Sequence, residues 1–194
     1  DLKASLADQV GAVSFPCVLK PLALSGSRGV IRANNAGEFM RAAARIGHIV
    51  RHESDEEERR FLLAEEFIPG CEIAVEGMLT AGGFEVLAVF DKPDPLDGPY
   101  FEETYYIPPS CLASEVQQQV RTTVAAACRA YGLREGPVHA ELRVNERGAW
   151  IIEVAARTIG GMCGRLLRFG TGLGLEELVL RQALGLPVQK TAEA

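Results

Sequence analysis

Between Gly136 and Gly161 the chain contains a long stretch in which apolar and other residues alternate. Apolar residues recur at every second position on both sides of Asn-Glu-Arg-Gly, which is the pattern of two strands joined by a turn. The stretch therefore predicts a β-hairpin, and a three-residue loop at 146–148 would give Gly148 the left-handed conformation that such loops need. The predicted apolar face carries Val138, Ala140, Leu142, Val144, Trp150, Ile152 and Val154. The opposite face carries His139, Glu141, Arg143, Ile151, Glu153 and Ala155.

This loop length sets the register of the hairpin. Asn145 pairs with Ala149, which places Glu141 directly across from Glu153. Cross-strand neighbours have Cβ atoms ~5 Å apart, and like charges at that distance repel each other. The pair therefore predicts a bound cation, and oxygen ligands favour Mg²⁺, which takes one or two carboxylates together with water and phosphate. The alternative is a register shifted by one residue, which would place the two glutamates on opposite faces.

Composition excludes several classes of protein. The net charge is −6 and no basic block is present, which argues against a nucleic-acid binder. No apolar run approaches the ~20 residues that a membrane span requires. The five cysteines are widely spaced and form no Cys-x-x-Cys pair, which is typical of a reduced, cytoplasmic protein. The chain begins at Asp1 without an initiator methionine, so we expect a domain of a longer protein.

A lysine followed by a glycine-containing loop is a second candidate site. Lys20 ends a short apolar strand between Phe15 and Pro21, and the loop follows with two glycines, two hydroxyls and an arginine. Such a loop offers backbone N–H groups and a positive charge to phosphates. It is not a Walker A sequence, because the lysine precedes the loop, and a plain turn is the alternative interpretation. The loop residues are Ser25, Gly26, Ser27, Arg28 and Gly29.

The remaining elements predict an α+β fold. Strands and helices alternate without a regular βαβ rhythm, which favours antiparallel sheets. Asn34 or Asn35 is expected to cap a helix, and Gly132 is expected to end another. The predicted helices are a weak amphipathic one at 1–12 and three clearer ones at 35–46, 113–131 and 175–184. The predicted strands before the glutamate hairpin are 15–21, 61–68, 72–79 and 84–90.

Four motifs of this chain, taken in order, resemble those of the ATP-grasp superfamily. They are Lys20, the loop that follows it, the pair Glu65-Glu66, and the hairpin that carries Glu141 and Glu153. The resemblance runs from Phe15 to Leu186, and it depends on four motifs in the family's order and spacing. It implies two α+β lobes with antiparallel sheets that hold ATP between them. The small lobe is then residues 1–70, with the glycine loop and the hinge, and the large lobe is 71–194, with the metal hairpin and the substrate side.

The resemblance also implies roles for single residues. Lys20 is similar to the lysine that contacts the nucleotide phosphates, and Ser25 to Gly29 to the loop that closes on them. Glu72 is placed like the glutamate that binds the ribose hydroxyls, with an exposed strand glutamate as the alternative. Glu141 and Glu153 match the two carboxylates that bind Mg²⁺, for which Mn²⁺ is a substitute. The hinge that meets the adenine corresponds to Glu65, Glu66, Phe67 and Ile68.

On the substrate side, the chain is most similar to the branch of L-amino acid ligases. Its segment Glu103 to Ser110 resembles the part of that branch that lines the amino-acid pocket, with Tyr106 where a histidine is usual. Strand packing of Tyr105 and Tyr106 is the alternative. Arg157-Thr-Ile-Gly-Gly resembles the turn that faces the acyl phosphate and the substrate carboxylate. The implied catalytic residues are Lys20 and Arg157, and the implied substrate residues are Glu103, Tyr106, Arg157, Gly160 and Gly161.

The sequence departs from the family at Ala155, where an asparagine often supplies a further metal ligand. A second metal ion would then be held more weakly, or by water and phosphate oxygens alone. His139, opposite Ala155 in the expected register, is expected at most to support the site.

The resemblance implies an ATP-dependent carboxylate–amine ligase that forms an amide bond between amino acids through an acyl phosphate and releases ADP. Its partners would be a small-molecule carboxylate, an amine and an N-terminal domain that this chain lacks, and the resemblance admits a homodimer. One alternative is another ATP-grasp ligase, of the purine-biosynthetic or biotin carboxylase-like kind. The other alternative is a nucleotide-binding module without turnover, for which Ala155 is the main argument.

Overall fold

The computed structural model describes residues 1–101, 105–165, 167–168 and 172–186. The chain divides into two compact units, which comprise the described residues of 1–68 with 96–103 and of 69–95 with 104–194. The segment that begins at Leu96, expected in the second lobe, belongs to the first unit. It does so because Tyr100 forms a β-bridge with Ile31 and the carbonyl of Pro99 accepts the N–H of Arg32 at 3.0 Å.

The first unit is a three-stranded antiparallel sheet with helices packed on it. Its strands are β1 (Cys17–Pro21), β2 (Ile31–Ala33) and β3 (Leu62–Glu66), in the order β2-β1-β3. Its helices are α1 (Leu6–Gln9), α2 (Ala36–Val50) and α3 (Glu56–Arg60). The Asn35 side chain caps α2 by accepting the N–H of Glu38 at 3.0 Å, which confirms one of the two expected caps. The core of the unit contains Cys17, Leu19, Ile31, Ala33, Phe39, Ala42, Ala43, Ile46 and Val50.

The second unit is a four-stranded antiparallel sheet in the order β5-β4-β6-β7. The strands are β4 (Cys71–Thr80), β5 (Gly83–Lys92), β6 (Gly136–Asn145) and β7 (Gly148–Ala155). Helix α4 (Ser114–Ala130) follows β5, and α5 (Leu175–Ala183) lies near the end of the described chain. Two antiparallel sheets with helices confirm the predicted α+β class. In the described ranges no helix is long and apolar enough to span a bilayer.

The two faces of this sheet differ in chemistry. One face, the apolar face, packs against α4 through Val120, Val124 and Cys128. The other face, the charged face, carries ionisable side chains on the same strands, because successive residues of a strand point to opposite sides. The apolar face contains Ile73, Val75, Leu79, Val138, Ala140 and Leu142. The charged face contains Glu72, Glu76, Lys92, His139, Glu141 and Arg143, of which all but Glu141 are buried.

The hairpin of β6 and β7 has the predicted glutamate pairing but a different turn. Asn145 pairs with Gly148, so the expected three-residue loop is wrong and the loop has two residues. The Asn145 side chain closes the turn by accepting the N–H of Arg147 at 2.9 Å, and Gly148 has the predicted positive φ, 124°. A β-bulge beyond Leu142 then inserts one extra residue in β7, which restores Glu141 opposite Glu153.

The bulge also changes which β7 side chains face the core. Between the turn and the bulge the register is one residue off, so Trp150 pairs with Arg143 and Ile151 pairs with Leu142. The predicted apolar-face position of Trp150 is therefore wrong, and its side chain is 38% exposed. Ile151, predicted for the opposite face, packs in the apolar core instead.

Candidate functional site

The charged face of the second unit holds a chain of ion pairs that alternate in sign. The guanidinium Nε of Arg143 lies 3.0 Å from Glu72, and Lys92 Nζ bridges Glu72 at 2.9 Å and Glu141 at 3.2 Å. The imidazole of His139 contacts Glu141 through Nε2 and Glu76 through Nδ1. Alternation of sign is what allows so many charges to be buried, because each one is compensated by a neighbour of opposite charge. We call Arg143, Glu72, Lys92, Glu141, His139 and Glu76 the ionic chain.

Glu141 is held in the ionic chain by one of its two oxygens. Its Oε1 lies 3.2 Å from Lys92 Nζ and 3.3 Å from His139 Nε2, and it accepts the Tyr106 hydroxyl at 3.5 Å. Burial alone would raise the pKa of Glu141, but the hydrogen bond from His139 and the charge of Lys92 lower that pKa to about 2. Glu141 is therefore a carboxylate at neutral pH. Its Oε2 makes no hydrogen bond to any residue that the structure describes.

Glu153 completes the predicted pair of carboxylates. It lies directly across from Glu141, its side chain is 53% exposed, and Arg157 approaches its Oε1 at 3.6 Å. Among the described residues no group of three His, Cys, Asp or Glu side chains is arranged to hold a metal ion. Two opposed carboxylates without a third protein ligand fit Mg²⁺, which draws its remaining ligands from phosphate and water. The residues present therefore fit the expected metal.

Glu76 and His139 form the innermost end of the ionic chain. They are paired neighbours on β4 and β6, both are buried, and the carboxylate Oε1 lies 2.5 Å from His139 Nδ1. Burial alone would lower the pKa of His139, but Glu141 and Glu76 raise it to about 9. Burial raises the pKa of Glu76, against the opposing effects of His139, the Ile159 N–H and Arg157. His139 also lies opposite Ala155, as predicted.

Glu72 is a member of the ionic chain, not an exposed strand residue. Its side chain is buried, and its two oxygens contact Lys92 and Arg143. The alternative interpretation of an exposed glutamate is therefore wrong. Lys92 reaches Glu72 because of a register shift between Glu76 and Gly77 in the β4–β5 hairpin. The ribose-binding role of Glu72 stays a prediction.

The two neighbouring tyrosines Tyr105 and Tyr106 differ in their surroundings. Tyr106 packs edge-on against Phe90, with ring centroids 6.0 Å apart, and its hydroxyl contacts Glu141. Tyr106 thus packs on the sheet and also contacts one of the two candidate metal carboxylates. Tyr105 is 66% exposed, so the strand-packing alternative is wrong for it. Glu103, the other candidate in this segment, lies outside the described residues.

The predicted substrate turn begins beside Glu153. Arg157 is exposed, contacts Glu153, and donates to the carbonyl of Thr158 at 3.0 Å. Gly160 and Gly161 are also exposed, and a Cβ atom added at either would meet no other atom within 4 Å. The turn is therefore an open surface with one cation, which is consistent with access for a carboxylate.

In the first unit, the structure brings Lys20 and the predicted hinge together. Lys20 Nζ lies 2.5 Å from Glu65 on the adjacent strand, and the lysine side chain is 19% exposed. Glu66 pairs with Cys17 and is exposed. Phe67 is buried under the guanidinium of Arg32, 3.8 Å from its ring centroid. The Phe67 N–H bonds to the carbonyl of Pro16 at 3.0 Å, so this N–H is already used.

The glycine loop of the first unit is made of two successive turns. The N–H of Arg28 bonds to Ser25 O at 3.4 Å, and the N–H of Val30 bonds to Ser27 O at 3.1 Å. Three residues have positive φ, namely Gly26, Ser27 and Gly29, and their own N–H groups make no hydrogen bond within the described part of the chain. Arg28 lies 3.5 Å from Glu53 at an exposed position. The loop lines a cavity of about 790 Å³ together with Val30, Ile31, Arg45, Ile49, Tyr100 and Phe101.

The sequence did not predict that Lys92 and Glu76 belong to the ionic chain, or that Arg143 is buried. Lys92 was missed because it ends a strand just before a loop rich in proline and glycine, where a surface lysine is common. A signal was nevertheless present, because Glu72 and Glu76 lie on one face of their strand, as His139, Glu141 and Arg143 do on theirs. A strand face of mixed charge inside a domain indicates a buried ionic cluster.

Comparisons with known proteins identify relatives of this chain. The chain is 34% identical over 184 residues to carnosine synthase 1 of Gallus gallus, which covers 91% of this chain and 20% of that protein. It is 28% identical over 179 residues to the D-alanine–D-alanine ligase of Methylibium petroleiphilum, covering 87% of this chain and 53% of that protein. The chain thus spans about a fifth and about half of these two relatives.

A solved structure supports the fold. The L-amino acid ligase from Bacillus licheniformis superposes with a TM-score of 0.72 and 32% sequence identity, over 89% of this chain and 39% of that one. The family model described as the ATP-grasp domain matches residues 13–165, which include the glycine loop, the hinge, the ionic chain and both paired glutamates. With its two antiparallel sheets and its opposed carboxylates, this chain belongs to the ATP-grasp family.

Proposed function

We propose that this chain is the ATP-binding part of an ATP-dependent ligase that joins the carboxylate of one amino acid to the amine of another. The observation that carries the proposal is the direct cross-strand pairing of Glu141 with Glu153, with Lys92 beside the first of them. The named relatives support it, because they are a carnosine synthase, a D-alanine–D-alanine ligase and an L-amino acid ligase.

Glu141 and Glu153 would hold Mg²⁺, or Mn²⁺ in its place, and the metal would offset the negative charge of the nucleotide phosphates. Lys92 lies next to Glu141 and would supply a fixed positive charge to the same phosphates. Lys20 and the unused N–H groups of the glycine loop would do the same from the first unit. The hinge residues Glu65–Ile68 and the buried Glu72 would bind adenine and ribose.

The reaction consists of two transfers. A carboxylate oxygen of the first substrate bonds to the γ-phosphorus of ATP, and the bond from that phosphorus to ADP breaks. The amine nitrogen then bonds to the acyl carbon, loses a proton, and inorganic phosphate leaves. Arg157, exposed beside Glu153, would orient the carboxylate for the first transfer, with Gly160 and Gly161 leaving space around it. A closing loop would exclude water from the acyl phosphate.

A nucleotide-binding module without turnover is the competing hypothesis. The observation that favours it is Ala155, which lies opposite His139 and offers no metal ligand from its side chain. Binding experiments do not separate this hypothesis from the ligase. Release of ADP that requires both an amino-acid carboxylate and an amine does, when it is measured on the full-length gene product.

The first test is a calorimetric titration of Mg·ATP into this chain. We expect binding that the Glu141→Ala/Glu153→Ala double variant weakens more than about 100-fold, because both carboxylate ligands are gone. The matched control is Glu146→Ala, which removes a negative charge from the exposed turn of the same hairpin. Equal binding by the double variant would refute the metal site. Binding without amino-acid-dependent ADP release would favour the module.

A further inference from the structure

Glu76 is a buried carboxylate that the proposed reaction does not use. Its side chain has no exposed surface, and it lies at the inner end of the ionic chain. Burial of a carboxylate is unfavourable unless it is paired, and replacing such pairs by apolar residues often does not destabilise a protein. The presence of Glu76 on the charged face therefore indicates a role other than stability.

The imidazole of His139 connects Glu76 to Glu141. Its Nδ1 lies 2.5 Å from Glu76 Oε1, and its Nε2 lies 3.3 Å from Glu141 Oε1. With a carboxylate on each side of the ring, Nε2 carries a hydrogen and donates it to Glu141. Glu76 thereby fixes the orientation of the ring, and the ring fixes one oxygen of Glu141.

The two oxygens of Glu141 consequently have separate tasks. Oε1 is held by His139, Lys92 and Tyr106, whereas Oε2 makes no hydrogen bond within the described ranges. A carboxylate anchored by one oxygen presents the other in a fixed direction. In this chain the residue directly across the sheet is Glu153, the second carboxylate of the candidate metal site.

We propose that Glu76 is a positioning residue that acts through His139 to hold the Glu141 carboxylate in the orientation that binds Mg²⁺. The inference rests on the proposed function, since it assigns a role in the same metal site. Residues that orient metal ligands through hydrogen bonds commonly change metal affinity ~10- to 100-fold when they are replaced.

The test uses Mn²⁺ with ADP, because the electron paramagnetic resonance signal of free Mn²⁺ reports its binding directly. Glu76→Gln keeps the shape of the side chain but replaces the charged acceptor beside His139 Nδ1 with a neutral amide. We expect Mn²⁺ affinity about 10-fold weaker than in the wild type. The matched control is Asp91→Asn, which alters a hydrogen-bonded carboxylate on the opposite face of the same sheet. It should change Mn²⁺ affinity less than about twofold.

A double-mutant cycle separates positioning from general damage to the fold. If Glu76 acts through Glu141, then Glu76→Gln should have no further effect in a Glu141→Gln background titrated to higher Mn²⁺ concentration. An equal loss in both backgrounds, or wild-type affinity in Glu76→Gln, would overturn the inference. A wild-type chain whose Mn²⁺ binding does not depend on Glu141 would instead overturn the proposed function.

Pulsed resonance on the Mn²⁺ complex tests whether His139 is itself a ligand of the metal. We expect no coupling to an imidazole nitrogen in the wild type, because Nε2 carries a hydrogen and donates to Glu141. A clear ¹⁴N coupling that disappears in His139→Gln would make His139 a metal ligand. That result would contradict the positioning role of the Glu76–His139 pair.

Discussion

The apolar face and the charged face of the four-stranded sheet are built from the same strands, yet they are stabilised in opposite ways. On the apolar face, residues such as Leu142 and Val75 are buried against α4, and each buried side chain contributes favourable transfer free energy. On the charged face, Glu72 and Arg143 are equally buried, and their desolvation is unfavourable unless every charge has a partner. One face is thus stabilised by apolar burial, whereas the stability of the other depends on the pairing of its charges.

Breaking the alternation of charge should have the largest effect on stability. Glu72→Leu removes the carboxylate that compensates both Lys92 and Arg143, which leaves two buried cations with one fewer partner. We expect the free energy of unfolding to fall by about 4 kcal/mol. Urea unfolding measures the change, and Glu146→Gln on the exposed turn is the control, with an expected change within about 0.5 kcal/mol. If Glu72→Leu changes the free energy of unfolding as little as the control does, Glu72 does not compensate the charges of Lys92 and Arg143.

A truncation on the apolar face should be nearly as destabilising but should leave the site unchanged. Leu142→Ala removes a side chain with no exposed surface, and we expect a loss of about 3 kcal/mol in the free energy of unfolding. The folded variant should bind Mn²⁺ with ADP as the wild type does, because Leu142 points away from Glu141. A loss of metal affinity comparable to that of a charged-face variant would show that the two faces are not independent.

The charged face should also make stability depend on pH. The raised pKa of His139, about 9 against 6.5, means that its contribution is complete below pH 6.5 and is lost as the pH rises towards 9. We expect the free energy of unfolding to fall by about 2 kcal/mol between pH 6.5 and 8.5. The lowered pKa of Glu141 gives the opposite dependence, with a loss as the pH falls from about 4.5 to 2.

The control for the alkaline dependence is His139→Gln, which keeps all five cysteines and should flatten the curve between pH 6.5 and 8.5. Urea unfolding at several pH values provides the measurement. If the variant retains the full decrease, another group is responsible, and the paired Glu76 and Glu141 do not hold a protonated imidazole.

The smallest of these effects is expected at the turn between β6 and β7. Gly148 has a φ of 124°, which an alanine adopts only with strain, so Gly148→Ala should lower the free energy of unfolding by about 1 kcal/mol. Because the bulge lies between the turn and the glutamates, Mn²⁺ affinity should change little. The result is checked by urea unfolding and by the resonance titration, and a large loss of affinity would show that the turn and the site are coupled.

The sequence predicted those parts of the fold that follow from local patterns. The Asn35 cap, the helix ended by Gly132 and the hairpin strands follow from side-chain chemistry and periodicity. The pairing of Glu141 with Glu153 was also predicted, but the turn was not. Two departures from the expected geometry, a loop one residue shorter and a bulge one residue longer, cancel at this pair.

Bulges are also the reason that other site residues were not predicted. Counting back from the Thr80–Gly83 turn without a bulge would place Asp91, not Lys92, opposite Glu72. The register shift at Gly77 places Lys92 opposite Glu72 instead, and no simple sequence pattern predicts that shift. The burial of Glu76 likewise depends on residues distant in sequence, since Leu167 and Leu175 pack against that face of the sheet. Such contacts are not visible in the period of a single strand.

The bulge in β7 has a consequence for the length of the loop in this hairpin. The glutamate pair is reached by a two-residue turn with a bulge, and a three-residue loop without a bulge would reach the same pair. The two arrangements use the same number of residues between Glu141 and Glu153, so one can replace the other without an insertion or a deletion, and Glu141 stays opposite Glu153. The loop can thus have two or three residues while the two carboxylates stay opposite each other.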